Sequence, residues 1–174
     1  MPSWKRCPKS VDELANAVLF EYPEHKPLID NHVTFDFLFA FPDYDEHGEP
    51  INDALVLHGV PASAIARITK LKDRVKGMAD AEVAIDGERW EKMNEAERRA
   101  VLDHELFHFE IKPDKEGNVK DDIGRPRLKM REHDRQFGWF DIIAKRHGQA
   151  SVECQQAKEL MDEAGQFYFQ LEKS

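Results

Sequence analysis

The feature that most constrains this chain is a pair of histidines four residues apart, in the segment His104-Glu-Leu-Phe-His108. Residues four apart lie on one face of an α-helix, so both imidazoles can reach a single metal ion. Glu105 lies beside them and is expected to take a proton from a water molecule bound to that metal. Zinc suits this pattern because it lowers the pKa of bound water towards about 7, which provides a nucleophile at neutral pH.

The helix that carries this motif is expected to be buried. Asn94, with Glu97 three residues later, predicts a capping box, and the helix is expected to run to about Phe109. Apolar side chains flank the two histidines and also cover the opposite pole of the helix: Ala100, Val101, Leu102, Leu106, Phe107 and Phe109. A buried stripe of two histidines and a glutamate needs a partner, and a metal ion supplies one.

A catalytic zinc site usually has three protein ligands and one open position, so a third ligand is required. The compact HExxHxxGxxH arrangement needs glycine at position 111 and histidine at position 114. This chain has Ile111 and Asp114 there, which makes Asp114 a weak candidate. We choose His133, because a ligand in the first turn of a second helix can close on the motif helix. Glu132 and Asp134 remain alternatives.

The other histidines outside the motif are His25, His32, His47, His58 and His147. His147 would lie roughly 21 Å from His133 along the same predicted helix, so the two cannot share one metal. We expect His147 to occupy the helix C-terminus, where a partial positive charge is favoured.

Length and composition predict a single domain over residues 1–174. No apolar run reaches the roughly 18 residues of a membrane span, and no secretory signal is recognisable, so we expect no membrane contact and a cytoplasmic location. Cys7 and Cys154 are expected to be free thiols. The formal net charge of −9 gives nucleic-acid binding no support, and the sequence leaves the oligomeric state open.

The predicted fold class is α+β, with about five helices and a small mixed sheet. A capping box at Ser10 to Glu13 predicts the first helix, Pro61 opens the second, and Ser151 caps the last. The predicted helices cover residues 11–20, 61–73, 94–109, 133–147 and 151–171, and the predicted strands cover 32–41, 52–58, 81–86 and 127–131. Gly148 is expected to end the fourth helix.

The segments ERRAVLDHELFHF (97–109) and REHDRQF (131–137) resemble the phage metallopeptidases, a family that looks related to the SprT-like zincins. The resemblance covers about residues 55–148 and includes GMADAEVAID at 77–86. It implies a zincin-like fold in which His104, His108 and His133 hold zinc and Glu105 is the catalytic base. In such folds the strand before the motif helix tends to flank the substrate cleft.

The resemblance implies a zinc-dependent metallopeptidase that hydrolyses a peptide or protein substrate, in the host cytoplasm if the chain is phage-encoded. Two features depart from the SprT-like pattern: Glu132 replaces the usual glycine before the third histidine, and no zinc ribbon is present. The second departure removes the basis for expecting DNA binding. The alternative is a non-catalytic metal-binding protein that acts by binding a protein partner, such as a phage-encoded effector. Glu105 argues against it, because structural zinc sites do not need a glutamate there.

Overall fold

The computed structural model describes residues 2–133, 139–159 and 162. Its strands are β1 (Ser3–Arg6), β2 (Phe35–Phe41), β3 (Val56–Leu57), β4 (Val60–Pro61), β5 (Ala64–Ile68), β6 (Ala81–Asp86), β7 (Phe109–Ile111) and β8 (Leu128–Met130). Its helices are α1 (Lys9–Glu21), α2 (Lys26–Asp30), α3 (Leu71–Val75), α4 (Gly87–Lys92), α5 (Glu95–Phe107), α6 (Asp141–His147) and α7 (152–159). The α+β class is therefore confirmed, with more helices in these ranges than the five predicted.

The main sheet has four strands in the order β1-β2-β6-β5. Strand β2 is antiparallel to β1 and parallel to β6, and β6 is antiparallel to β5, so the sheet is mixed, as predicted. Two small hairpins, β3-β4 and β7-β8, stand beside it. Strands β1 and β5 are the two edges of this sheet, and the motif helix α5 contacts the β5 edge.

Helices α1 and α5 cover one face of this sheet. Side chains alternate along a strand, so Val83 and Ile85 of β6 join the core beneath the helices, together with Leu102 and Leu106 of α5. Ala84 points to the opposite face, where a smaller cluster forms. Leu102 and Leu106 have no exposed surface, which confirms that the motif helix is buried.

The start of α5 is built as the sequence predicts. The side chain of Asn94 accepts a hydrogen bond from the Glu97 amide at 3.0 Å, and Glu97 accepts one from the Asn94 amide at 2.9 Å. This capping box satisfies two amides that the first turn leaves without helical partners. The helix ends at Phe107, two residues before the predicted end, because Phe109 begins strand β7.

The predicted helix over residues 61–73 is wrong. Pro61 lies in strand β4, residues 64–68 form strand β5, and only Leu71–Val75 is helical. The apolar residues of β5 divide between two faces: Ala64 packs under the helices, whereas Ile65 joins the cluster on the opposite face. This two-residue period is that of a strand. The strand predicted over 52–58 is reduced to Val56–Leu57.

Two predicted helix starts also differ. Helix α1 begins at Lys9 after Pro8, so Ser10 is already helical and does not cap it. Helix α6 begins at Asp141, whereas the prediction began at residue 133, and residues 134–138 of that prediction lie outside the described residues. Ser151 does cap α7, since its Oγ accepts from the Cys154 amide at 3.1 Å. The predicted continuation of this helix to residue 171 lies outside the described residues, apart from residue 162.

Gly148 ends α6 with a φ of 51°, in the left-handed region that favours glycine. Cys7 and Cys154 are free thiols. Among the described residues, none of the helices has both the length and the apolar character needed to cross a membrane.

Candidate metal centre

Three histidines converge on one point at the side of α5. His104, His108 and His133 each offer a ring nitrogen, and these atoms all lie within 4.8 Å of one another. The Nε2 atoms of His104 and His133 are 3.2 Å apart. All three side chains are partly buried. In the part of the chain that the structure describes, this is the one cluster of metal-ligating side chains close enough to share an ion.

The third histidine reaches the site through the β7-β8 hairpin. Strand β7 follows α5 directly and pairs with β8, Phe109 lying opposite Met130. The Arg131 amide donates a 2.6 Å hydrogen bond to the His108 carbonyl, which extends the pairing by one residue. His133 follows two residues later in a segment without regular secondary structure. The expectation that it lies in the first turn of a helix is therefore wrong, although it meets the motif histidines.

Hydrogen bonds fix which nitrogen of each motif histidine faces the centre. The Nδ1 atom of His104 lies 2.6 Å from Glu153 Oε1, and the Nδ1 atom of His108 lies 3.0 Å from the Arg131 carbonyl oxygen. Carbonyl and carboxylate oxygens only accept, so both Nδ1 atoms carry hydrogen and donate. The Nε2 lone pairs are thereby left for coordination. This is the usual support for histidines that bind metals.

The spacing of the nitrogens suits a small cation. A tetrahedral ion with bonds of about 2.0–2.1 Å to imidazole holds neighbouring ligand nitrogens about 3.3 Å apart. The Nε2 atoms of His104 and His133 are at 3.2 Å. The three histidines could therefore hold one metal ion.

Phe140 forms an apolar floor beneath the histidines. Its ring centroid lies 4.9 Å from those of His104 and His108 and 4.8 Å from that of His133. The side chain has no exposed surface. Packing against all three rings restricts their rotation and keeps water away from that side of the site.

Glu105 lies beside the histidines with 7% of its surface exposed. Burial raises the pKa of its carboxyl group, and it outweighs the opposing effects of His104 and of the Ala66 amide. A carboxylate with a raised pKa is a better proton acceptor near neutral pH. Its environment therefore suits a general base.

The pKa values of the two motif histidines shift in opposite directions. Burial lowers the pKa of His108 to about 4, helped by the nearby charge of His104, so His108 is neutral at pH 7. Burial is the largest effect on His104 and opposes its charge, but the hydrogen bond to Glu153 and the negative charges of Glu105, Glu153 and Asp103 together outweigh it and raise the pKa of His104. Burial would raise the pKa of Glu153, but the hydrogen bond and charge of His104, together with backbone hydrogen bonds, outweigh burial and lower the pKa of its carboxyl group. Glu153 is therefore an anion that holds the Nδ1 hydrogen of His104.

A second polar cluster anchors the back of α5. The Asp103 carboxylate, which is fully buried, lies 2.6 Å from His25 Nε2 and 2.7 Å from His147 Nε2. Arg146 donates to both of its oxygens at 3.1 Å. Burial would raise the pKa of Asp103, but these partners hold it below its usual range. His147, at the end of α6, therefore positions the motif helix and lies outside the histidine triad.

The remaining candidate ligands do not join the triad. The carboxylate of Asp114 accepts hydrogen bonds from the amides of Glu116 and Asn118, which close a turn in the β7-β8 connection. Glu132 is exposed. Asp134 lies outside the described residues.

A cavity of about 580 Å³ opens onto the triad and Glu105. Its walls are β5, the β3-β4 hairpin and α7. The resemblance implied that the strand over residues 77–86 borders the cleft. That strand is β6, which is paired on both sides by β2 and β5, so the edge strand β5 borders the cavity instead.

Sequence reasoning did not identify Glu153 and Phe140. Both contact the histidines from far along the chain: Phe140 immediately precedes α6, and Glu153 lies in α7, 49 residues from His104. The isolated residues carry no local pattern that would mark this contact. The one usable signal was Ser151, which predicted that a helix begins immediately before Glu153.

Comparison with known proteins gives one match. Searches of curated proteins and of solved structures found no match. A family model described as "Putative phage metallopeptidase" matches residues 2–165, a range that includes the three histidines, Glu105 and Glu153. Because this match covers nearly the whole sequence, the chain belongs to the phage metallopeptidase family.

Proposed function

We propose that this protein is a zinc-dependent metallopeptidase with a zincin-like domain over residues 1–174. In this proposal His104, His108 and His133 hold the zinc ion, and Glu105 is the catalytic base. The observation that carries it is the convergence of the three histidine nitrogens beside a buried glutamate that lines the same cavity. The family match supports the peptidase activity.

A bound zinc ion would supply Lewis-acid polarisation of a peptide carbonyl and lower the pKa of a water molecule. Glu105 would accept the proton of that water and deliver it to the amide nitrogen that leaves. Its buried position keeps bulk water from competing for the proton. Glu153 and the Arg131 carbonyl would hold the ligand rings in place through both steps.

Strand β5 offers a surface for an extended substrate. The Asp86 amide donates to the Ser63 carbonyl, and the Thr69 amide donates to the Asp80 carbonyl. In an antiparallel pair the bonded positions alternate, so Ala64 and Ala66 direct their peptide groups away from β6 and towards the open edge. A peptide paired with this edge would lie beside Glu105, which the Ala66 amide approaches.

Metal analysis and a cleavage assay on the same preparations test this function. Glu105→Gln keeps the shape of the side chain, so we expect full zinc occupancy but no cleavage of denatured casein. Glu95→Gln makes the same change at the exposed start of α5 and should cleave like the wild type. His133→Ala should lose both zinc and cleavage. Equal cleavage by wild type and Glu105→Gln would refute the catalytic role.

Zinc binding by a wild type that cleaves no peptide or protein substrate would instead favour a non-catalytic metal-binding protein. A relation to the SprT-like zincins and action in the host cytoplasm are parts of the same proposal. The α+β fold and the order of the motif histidines and His133 are consistent with that relation.

A further inference from the structure

The β3-β4 hairpin presents apolar side chains to solvent next to the site. Leu57 pairs with Val60, and Val56 pairs with Pro61. The turn between the strands is His58-Gly59, with φ values of 51° and 82°. Two positive φ values in succession are those of a type I′ turn, which matches the twist of the strands. The tip is therefore a defined hairpin.

The base of the hairpin is anchored on the far face of the main sheet. Ala54 and Leu55 are buried there against Ala40, Ile65 and Ala84. The Ala62 amide donates a 3.0 Å hydrogen bond to the Leu55 carbonyl. Leu57 and Val60, by contrast, line the cavity that contains the triad. The hairpin thus starts on the face of the sheet opposite the helices, passes around the edge strand β5, and reaches the cavity that contains the histidine triad.

Of the two side-chain pairs in the hairpin, only Leu57 and Val60 line the cavity with both members. Residues paired across a hairpin share a face, so Leu57 and Val60 lie on one face, and both line the cavity. They are 41% and 63% exposed. Of the pair on the other face, Pro61 also lines the cavity, whereas Val56 is 50% exposed and is not among the described residues that line it. Exposed apolar surface beside a reactive site indicates that something covers it during function.

We propose that Leu57 and Val60 form the binding surface for an apolar side chain of an extended peptide substrate. The inference rests on the proposed peptidase function and names its substrate class. A peptide is the expected occupant because the hairpin leads directly into the edge strand on which a peptide would pair: β4 ends at Pro61, and β5 begins at Ala64. A peptide that pairs with the open edge of β5 directs alternate side chains towards the hairpin. An apolar residue there would cover both side chains.

A pair of zinc-binding probes tests the inference by affinity, without cleavage. Dansyl-leucyl-leucine hydroxamate carries apolar side chains, and dansyl-glycyl-glycine hydroxamate carries the same metal-binding group without them. Fluorescence titration of the zinc-loaded protein should show tighter binding of the leucine probe. We expect the Leu57→Ser/Val60→Ser double variant to bind the leucine probe about tenfold more weakly and the glycine probe unchanged. Val56→Ser, the matched control, should behave as the wild type.

Equal affinity of wild type and double variant for the leucine probe would overturn the inference, as would a wild type without preference for leucine. If the double variant does not fold by circular dichroism, each single serine variant should still lose about threefold. Cleavage tests the proposed function separately. If the protein prefers the leucine probe but cleaves no substrate, the hairpin binding surface is supported and the peptidase function is refuted. If it cleaves substrate equally well without Leu57 and Val60, the peptidase function is supported and the hairpin binding surface is refuted.

Discussion

The hydrogen bond between Glu153 and His104 gives the most informative test of the proposed zinc site. Glu153 is 2% exposed, and its Oε1 atom lies 2.6 Å from the Nδ1 of His104. The other carboxylate oxygen, Oε2, has no hydrogen-bond partner among the described residues. Glu153→Gln keeps an oxygen acceptor and nearly the same volume, so it removes the negative charge and little else.

The expected magnitude follows from the charge. A hydrogen bond to a charged group contributes about 1.5–3 kcal/mol, against about 0.5–1.5 kcal/mol between neutral groups. The loss of about 1–1.5 kcal/mol makes His104 a weaker ligand and corresponds to roughly a tenfold rise in the dissociation constant for zinc. This agrees with the 10- to 100-fold losses of metal affinity that follow changes to the outer partners of metal-binding histidines.

Two effects on the metal-free protein oppose each other. The substitution removes a buried charge at Oε2, which favours the folded state, but it places there an amide group without an acceptor. We therefore expect a small change in the free energy of unfolding of the metal-free protein. A loss of zinc affinity in Glu153→Gln can then be attributed to the weakened His104 ligand, because the stability of the metal-free protein changes little.

Competition with a chromophoric zinc chelator at pH 7.5 measures the affinity. Glu159→Gln is the matched control, because Glu159 lies on the same helix and is exposed. The control should keep the wild-type dissociation constant. A Glu153→Gln constant within twofold of the wild type would refute the reasoning. An equal loss in both variants would show that the net charge of the helix matters and the hydrogen bond does not.

Three further variants test the surroundings of the site and the fold. Phe140→Ala removes a fully buried ring and should lower the free energy of unfolding in urea by about 3–5 kcal/mol. Asp103→Asn should destabilise the protein by about 3–5 kcal/mol at pH 7, because it breaks a buried charge cluster. The pKa of Asp103 is lowered in the folded protein. The difference in the free energy of unfolding between wild type and Asp103→Asn should therefore be constant above about pH 4 and shrink as the pH falls further. Urea titrations of both proteins at pH 7, 4 and 3 would measure it. Gly87→Ala would place a Cβ 2.4 Å from the Phe41 ring, and thermal unfolding should show a loss of about 1–3 kcal/mol.

The motif helix was predictable because its signals are local. The capping box at Asn94 depends on residues three positions apart, and the apolar pattern that predicts burial repeats every turn. Strand β6 was predictable for the same reason, since its alternation ends at Gly87. Both elements have the predicted type and nearly the predicted bounds.

The edge strand β5 was mispredicted because its local signals favour another structure. Pro61 suits the first turn of a helix, and Ala64 and Ala66 are compatible with either state. Pairing with β6 decides the outcome, and that pairing joins residues 13 to 21 positions apart. The helix or strand propensity of a short segment predicts its structure poorly when a neighbouring strand is available to pair with it.

The third histidine was selected for a reason that the structure does not support. The prediction placed His133 in the first turn of a helix, whereas the register of β7 with β8 brings it to the motif. Spacing along the chain excluded His147 and made Asp114 a weak candidate, but it left Glu132 and Asp134 as alternatives to His133. Only the hairpin connection explains why His133, and neither Asp114 nor His147, lies beside His104.

The residues that hold the motif helix in place differ from those that orient the proposed metal ligands. Asp103 ties the back of α5 to α6 through Arg146 and His147, and no part of that cluster joins the triad. On the other side, Glu153 and the Arg131 carbonyl orient the two motif rings. Neighbouring residues of one helix, Asp103 and His104, thus belong to two polar networks that share no hydrogen bond among the described residues. A change in either network should therefore affect a different property: stability for Asp103, and metal affinity for Glu153.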